Sequence, residues 1–256
     1  MPLGPGARQG VNKNPKAWFR TDKAVNATEK HPHIPARNLL DRIVLGGGDG
    51  AIEGLAMTSA LNGAGVGFGT IALAGLAFAL AGALSMFFSN YLSRKSEIES
   101  LKTDISRESL EIETEPEEEL SEMRDLLRKD GYDDQEIQVI LQRLRKDKAL
   151  WLREMLRREL KVNAEDVKSD PFVGPLTAGL AFLVLALLAV FPYALAVART
   201  TALLTSLALS LIALFALGSR LFIPRNFRPH SGFESAAVGG IAGALLFVVG
   251  LLVSRI

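Results

Sequence analysis

The chain has 256 residues, 48% of them hydrophobic and 22% charged, and a net charge of +1 at pH 7. It has no cysteine and three histidines, which excludes disulfides, thiolate-held zinc, iron–sulfur clusters, thiol catalysis and a histidine-rich metal centre. Its apolar residues come in blocks on either side of one strongly charged block, the pattern of a chain divided between lipid and water.

Residues 1–37 are basic and lack an apolar core, so they read as a disordered cytoplasmic tail rather than a cleaved secretory signal. Five segments then meet the length of roughly 20 apolar residues that a spanning helix needs. They cover about 39–62, 66–92, 172–193, 200–222 and 234–254. The uncharged turn Asn62-Gly-Ala-Gly-Val-Gly67 makes an antiparallel hairpin of the first two, and the third and fourth meet closely after Phe191-Pro192-Tyr193. Lys and Arg collect in the N-terminal tail and in the 220–233 loop (Arg220, Arg225, Arg228), while the other turns hold only Arg199. By the positive-inside rule the tail, the 93–171 block and the 220–233 loop are cytoplasmic.

The first segment raises a physical problem. Asp49 and Glu53, at i and i+4 on one helix face, lie about 15 Å and 21 Å from its start. A carboxylate at that depth costs on the order of 2.5–3.5 kcal/mol on insertion scales. The pair therefore needs a polar cavity, a metal ion or protons. A pair of protonated acids bonded to neighbouring helices is the alternative without transport. Gly46, Gly47, Gly48, Gly50 and Gly54 permit close helix approach. They do not form a phosphate loop, because no strand precedes them and no GK[ST] follows. On the returning segment Met86 comes back to roughly the depth of Asp49. A lone Met there is ordinarily packing, but a thioether beside carboxylates favours a transition metal over Mg²⁺ or Ca²⁺.

The 93–171 block reads as three soluble helices. Tyr91 to about Ile112 continues the second span, Pro116 suits the first turn of the next helix, and Asp130-Gly131 ends it. A third runs from about Gln135 to Leu160, capped by Asp133 or Asp134, with one apolar face. Glu108 and Glu111, then Glu119 and Glu122, are E-x-x-E pairs on either side of Pro116. Two such faces meeting would make a carboxylate cluster for hard and borderline divalent cations. A solvated acidic face is the plainer reading. No Glu-x-x-His is present, which argues against a ferritin-like oxidase. Met155 and Glu159, at i and i+4 on the third helix, are in a position to complete the cluster.

Together these motifs resemble the vacuolar iron transporter family. The order is Asp49-Gly50, then Ala81-Gly82-Ala83-Leu84-Ser85-Met86, Lys95-Ser96-Glu97, the two E-x-x-E pairs around Pro116, and Trp151-Leu152 with Met155 and Glu159. The resemblance covers about residues 38–256. It implies an all-α membrane protein with spans at 38–92 and 172–256 and a three-helix cytoplasmic metal-binding domain over 93–171, inserted between helices 2 and 3. It implies a homodimer in the bilayer that moves Fe²⁺ out of the cytoplasm in exchange for protons, with no nucleic acid and no prosthetic group. It places Asp49 and Met86 on the path, and Glu108, Glu111, Glu119, Glu122, Met155 and Glu159 at the cytoplasmic site. The membrane would be the plasma membrane in a prokaryote and a vacuolar one in a eukaryote.

Three positions depart from the plant-type pattern. Phe78 stands where those members carry a Glu eight residues before the Met, and Leu156 stands where they carry a second Met. Glu53, at a position not typically acidic in those members, lies at the depth of Phe78 and is read as the replacement carboxylate. The bound or carried ion is Fe²⁺, with Mn²⁺, Zn²⁺ and Co²⁺ suited to the same ligands. A metal sensor without flux and a scaffold recruiting a basic partner are the competing classes.

Overall fold

The structure, a computed structural model, describes residues 36–161, 170–195, 198–221 and 227–255. The expected disordered tail falls almost wholly outside the described residues, as do 162–169 and the middle of the 220–233 loop. Eight helices are present among the described residues: α1 (Ala36–Gly63), α2 (Phe68–Thr114), α3 (Pro116–Lys129), α4 (Asp134–Lys146), α5 (Lys148–Arg158), α6 (Val173–Ala194), α7 (Arg199–Gly218) and α8 (Pro229–Val253). They fall into two compact units, one within Ser96–Ser169, the other within His33–Lys95 and Asp170–Ile256.

In the larger unit, α2, α6, α7 and α8 are each long and apolar enough to cross a membrane. Helix α1 has the length, at 28 residues, but carries Asp41, Arg42, Asp49 and Glu53. Even so it packs against α6, α7 and α8. Its glycines make that possible. A Cβ on Gly46 would collide with the carbonyl of Ala178, one on Gly50 with that of Phe182, and one on Gly54 would lie 3.1 Å from that of Ala186. The three contacts step by four residues along both helices, so α1 and α6 run in the same direction with their backbones nearly touching. Helix α8 lies along another side: Gly243 meets Leu55 and Ser59, and Gly250 meets the Ala60 carbonyl.

The turn between α1 and α2 uses Gly65 at φ +76°, a left-handed backbone that suits glycine. Arg199, at the start of α7, donates to the carbonyls of Asn62, Gly65 and Val66 and to Asn62 Oδ1. It thus satisfies acceptors left open at the end of α1.

The smaller unit packs the far end of α2 with α3, α4 and α5 around Ile105, Ile112, Leu120, Met123, Leu127, Ile137, Leu141, Leu144, Trp151, Leu152, Met155 and Leu156. Pro116 takes the first turn of α3, and Asp130 with Gly131 at φ +94° ends it. Asp133 caps α4 in a capping box with Glu136. The single helix expected over Gln135–Leu160 is two. Asp147 leaves helical geometry at φ −136° and ψ 88°, and its side chain caps α5 by accepting from Leu150 N. Leu144 and Trp151 keep the seven-residue spacing of one continuous helix, and the only local mark of the break is that Asp147 and Lys148 fill the apolar position between them.

Candidate metal centres

In the smaller unit two glutamates occupy core positions. Glu108 lies between Ile105 and Ile112 on the buried stripe of α2 and is 1% exposed. Glu119, four residues before the buried Met123 on α3, is 6% exposed. Carboxylates are rarely buried to this degree without a charge partner. These two hydrogen-bond to each other, yet Glu108 Oε1 and Glu119 Oε2 have no partner among the described residues.

The electrostatics join the remaining acids to this pair. Glu108 is pushed up to about 8, first by burial, then by the charges of Glu159 and Glu119, the hydrogen bond to Glu119, and Glu111. It is therefore the protonated donor of the pair at neutral pH. Glu119 is raised by burial, partly offset by the hydrogen bond from Glu108, with Glu122, Glu111 and Glu159 raising it further. Glu159 is raised by burial and by Glu122 and Glu111, against a smaller lowering by Arg107.

The five acids expected from the sequence thus act on one another from three helices. Glu111 is half-buried and bridges to Arg107 at 3.8 Å, while Glu122 and Glu159 are exposed. Met155 is fully buried in the adjoining core. Among the described residues no three His, Asp or Glu side chains converge on one point as a closed metal cage. The orphaned carboxylate oxygens are hard acceptors of the kind a divalent cation satisfies.

In the larger unit the glycine face of α1 is spent on packing, and Asp49, Glu53 and Met57 (i, i+4, i+8) form a separate stripe about 100° further round the helix. Asp49 and Met57 are half-buried and Glu53 is exposed in the single chain. Met57 was not among the residues singled out from the sequence, although its spacing from Glu53 would have found it.

Met86 packs on the cluster of Ala79, Phe182 and Ala186. Its depth follows from a cross-link: Arg42 Nη1 donates to Asn90 Oδ1 at 2.7 Å. Counting from there at 1.5 Å per residue, Met86 lies about 6 Å along α2 and Asp49 about 10 Å along α1, within one turn in depth. The Phe78 ring lies 6.1 Å from that of Phe182. Its neighbour Ala79 packs with Ala186, as Gly54 beside Glu53 does. Phe78 and Glu53 therefore stand at one level, the aromatic ring in the packed cluster and the carboxylate outside it. Sequence reasoning also passed over Arg42 and Asn90, whose importance depends on a contact between residues 48 positions apart.

A family model described as the VIT family matches residues 40–251. Vacuolar iron transporter 1 of Arabidopsis thaliana is 31% identical over 229 residues, covering 89% of this chain and 90% of its own length. Vacuolar iron transporter 2 of Oryza sativa subsp. japonica is 32% identical over 227 residues, covering 86% and 89%. The vacuolar iron transporter of Plasmodium berghei (strain Anka) is 28% identical over 238 residues, covering 88% and 86%.

Proposed function

The chain belongs to the VIT family, and from this we propose that it is a membrane transporter moving Fe²⁺ out of the cytoplasm in exchange for protons. The observation that carries the reading is the buried Glu108–Glu119 pair, whose orphaned oxygens are the kind of acceptors a divalent ion satisfies. Mn²⁺ suits the same carboxylates.

In this reading α1 is a fifth crossing, its charges tolerated because they face a path rather than lipid. Its parallel run beside α6 and α8 supports that placement. The N-terminus and the Ser96–Ser169 unit are cytoplasmic, on the strength of where Lys and Arg lie. Two chains pair in the bilayer and bring the Asp49–Glu53 faces toward a common path.

The cytoplasmic acids collect the ion. Its charge replaces the proton on Glu108, which is held near pH 8 only while the site lacks a cation. Asp49 and Glu53 take the ion with Met86 and release their protons to the same side. When the ion leaves on the far side they are reprotonated there, so each cycle exchanges protons for metal.

Reconstitution of the chain in proteoliposomes tests this. Fe²⁺ flux driven by an imposed proton gradient, compared with Mn²⁺, Co²⁺ and Zn²⁺, is the expected result. Metal binding without flux would replace the transporter with a membrane-anchored sensor, and no binding at all would leave the acidic helices as a protein-docking scaffold.

A further inference from the structure

Three residues from two helices form a continuous polar chain at the N-terminal end of α1. Arg42 Nη1 donates to Asn90 Oδ1 at 2.7 Å, and Asn90 Nδ2 donates both to the Met86 carbonyl at 2.8 Å and to Met86 Sδ at 3.1 Å. The guanidinium reaches across Gly174 at the start of α6, where an added Cβ would lie 3.6 Å from Arg42 Nε.

The arrangement leaves Asn90 one orientation. A guanidinium only donates, so the amide oxygen must face Arg42, and the NH₂ group is thereby turned toward the sulfur. Thioether sulfur is a weak acceptor, and an uncharged Asn in an apolar span has no need of it as its sole partner. The Met86 carbonyl already serves one amide hydrogen, and the second is aimed at Sδ. A flexible methionine, which ordinarily samples several rotamers, is held in one.

We propose that Asn90, locked by Arg42, is a positioning residue that holds the Met86 thioether and sets its softness toward metal; this rests on the reading of Met86 as a ligand on the ion path. The hydrogen bond engages one sulfur lone pair and leaves the other for an ion. A donor on the sulfur withdraws electron density from it, which disfavours thiophilic cations more than Fe²⁺ or Mn²⁺. Outer partners of this kind orient and tune ligands in metal sites, and their loss shifts affinity by roughly 10–100-fold.

The test uses the full chain in lipid nanodiscs with ¹³C-methyl methionine. There are five methionines, and Met86→Leu assigns the signal. The wild type is expected to show a Met86 methyl shift of a single rotamer. Asn90→Leu is expected to move it to the averaged value and to raise the binding preference for Cd²⁺ over Fe²⁺ about tenfold. Asn90→Asp keeps an acceptor for Arg42 but has no N–H for the sulfur, so it should reproduce the methyl change even where Asn90→Leu does not fold. An unchanged Met86 methyl signal in folded Asn90→Asp, or an unchanged Cd²⁺:Fe²⁺ preference in Asn90→Leu, overturns the proposal. Fe²⁺ that leaves the wild-type Met86 signal unperturbed while the Asn90 variants still move it would instead overturn the placing of Met86 on the path.

Discussion

Gly50 of α1 and Phe182 of α6 meet backbone to backbone: a Cβ on Gly50 would lie 2.8 Å from Phe182 Cα and would overlap its carbonyl. This contact turns Asp49 away from α6. One residue without a side chain therefore both joins two helices and aims the adjacent carboxylate.

Gly50→Ala should accordingly force α1 and α6 apart and destabilise the membrane unit by about 1–3 kcal/mol, as overpacking does. Gly48→Ala is the control, because an added Cβ there meets nothing within 4 Å. It should be neutral or slightly stabilising through helix propensity. Thermal melts of the two variants in detergent, followed by loss of monodispersity, compare them; equal melting points would contradict the packing described.

Glu108 makes the metal-free cytoplasmic unit sensitive to pH. Its folded value of about 8 lies above the ordinary 4.5, so the folded state keeps a proton that the unfolded chain gives up. Stability from this group is complete below about pH 4.5, falls as pH rises, and is gone above about 8. Raised values at Glu119 and Glu159 add to the same slope. Melting temperature should decline between these limits in chelator, and Glu108→Gln should flatten the decline. A wild-type curve that rises with pH would contradict the assignment.

Removing the first acidic pair should weaken cytoplasmic metal binding more than it disturbs the fold. Glu108→Ala with Glu111→Ala is expected to lose at least about tenfold in affinity, or about 1.4 kcal/mol. Calorimetric titration with Fe²⁺ or Zn²⁺ measures this beside a circular-dichroism check of helix content, and unchanged affinity would exclude these residues from the site.

Glu53 is the residue where the chain departs from the plant-type pattern, with Phe78 packed on Phe182 at the same level. Glu53→Gln is expected to slow Fe²⁺ flux about tenfold or more, approaching the effect of Asp49→Asn. Flux that survives Glu53→Gln while Asp49→Asn abolishes it would show that the second carboxylate is not used.

Much of this molecule is written locally. Four apolar runs of bilayer length, Pro116 at a first turn and Gly131 after a last one are features of neighbouring residues that the structure shows, and of the two capping aspartates the sequence offered it uses Asp133. Repeated short patterns also carried the family resemblance. Contacts between distant residues were decided only by the tertiary structure. The same spacing of Asp49 and Glu53 is compatible with a face packed on α6 or a face turned away; the carbonyls of Ala178 and Phe182 decide it by leaving room only for glycine. Glu108 and Glu119 read equally as solvated acids until three helices close over them and remove the water that would have stabilised their charge. Asn90 gains its meaning from Arg42 on another helix. Periodicity reports which side chains share a face, whereas burial and pairing depend on what the rest of the chain brings against that face.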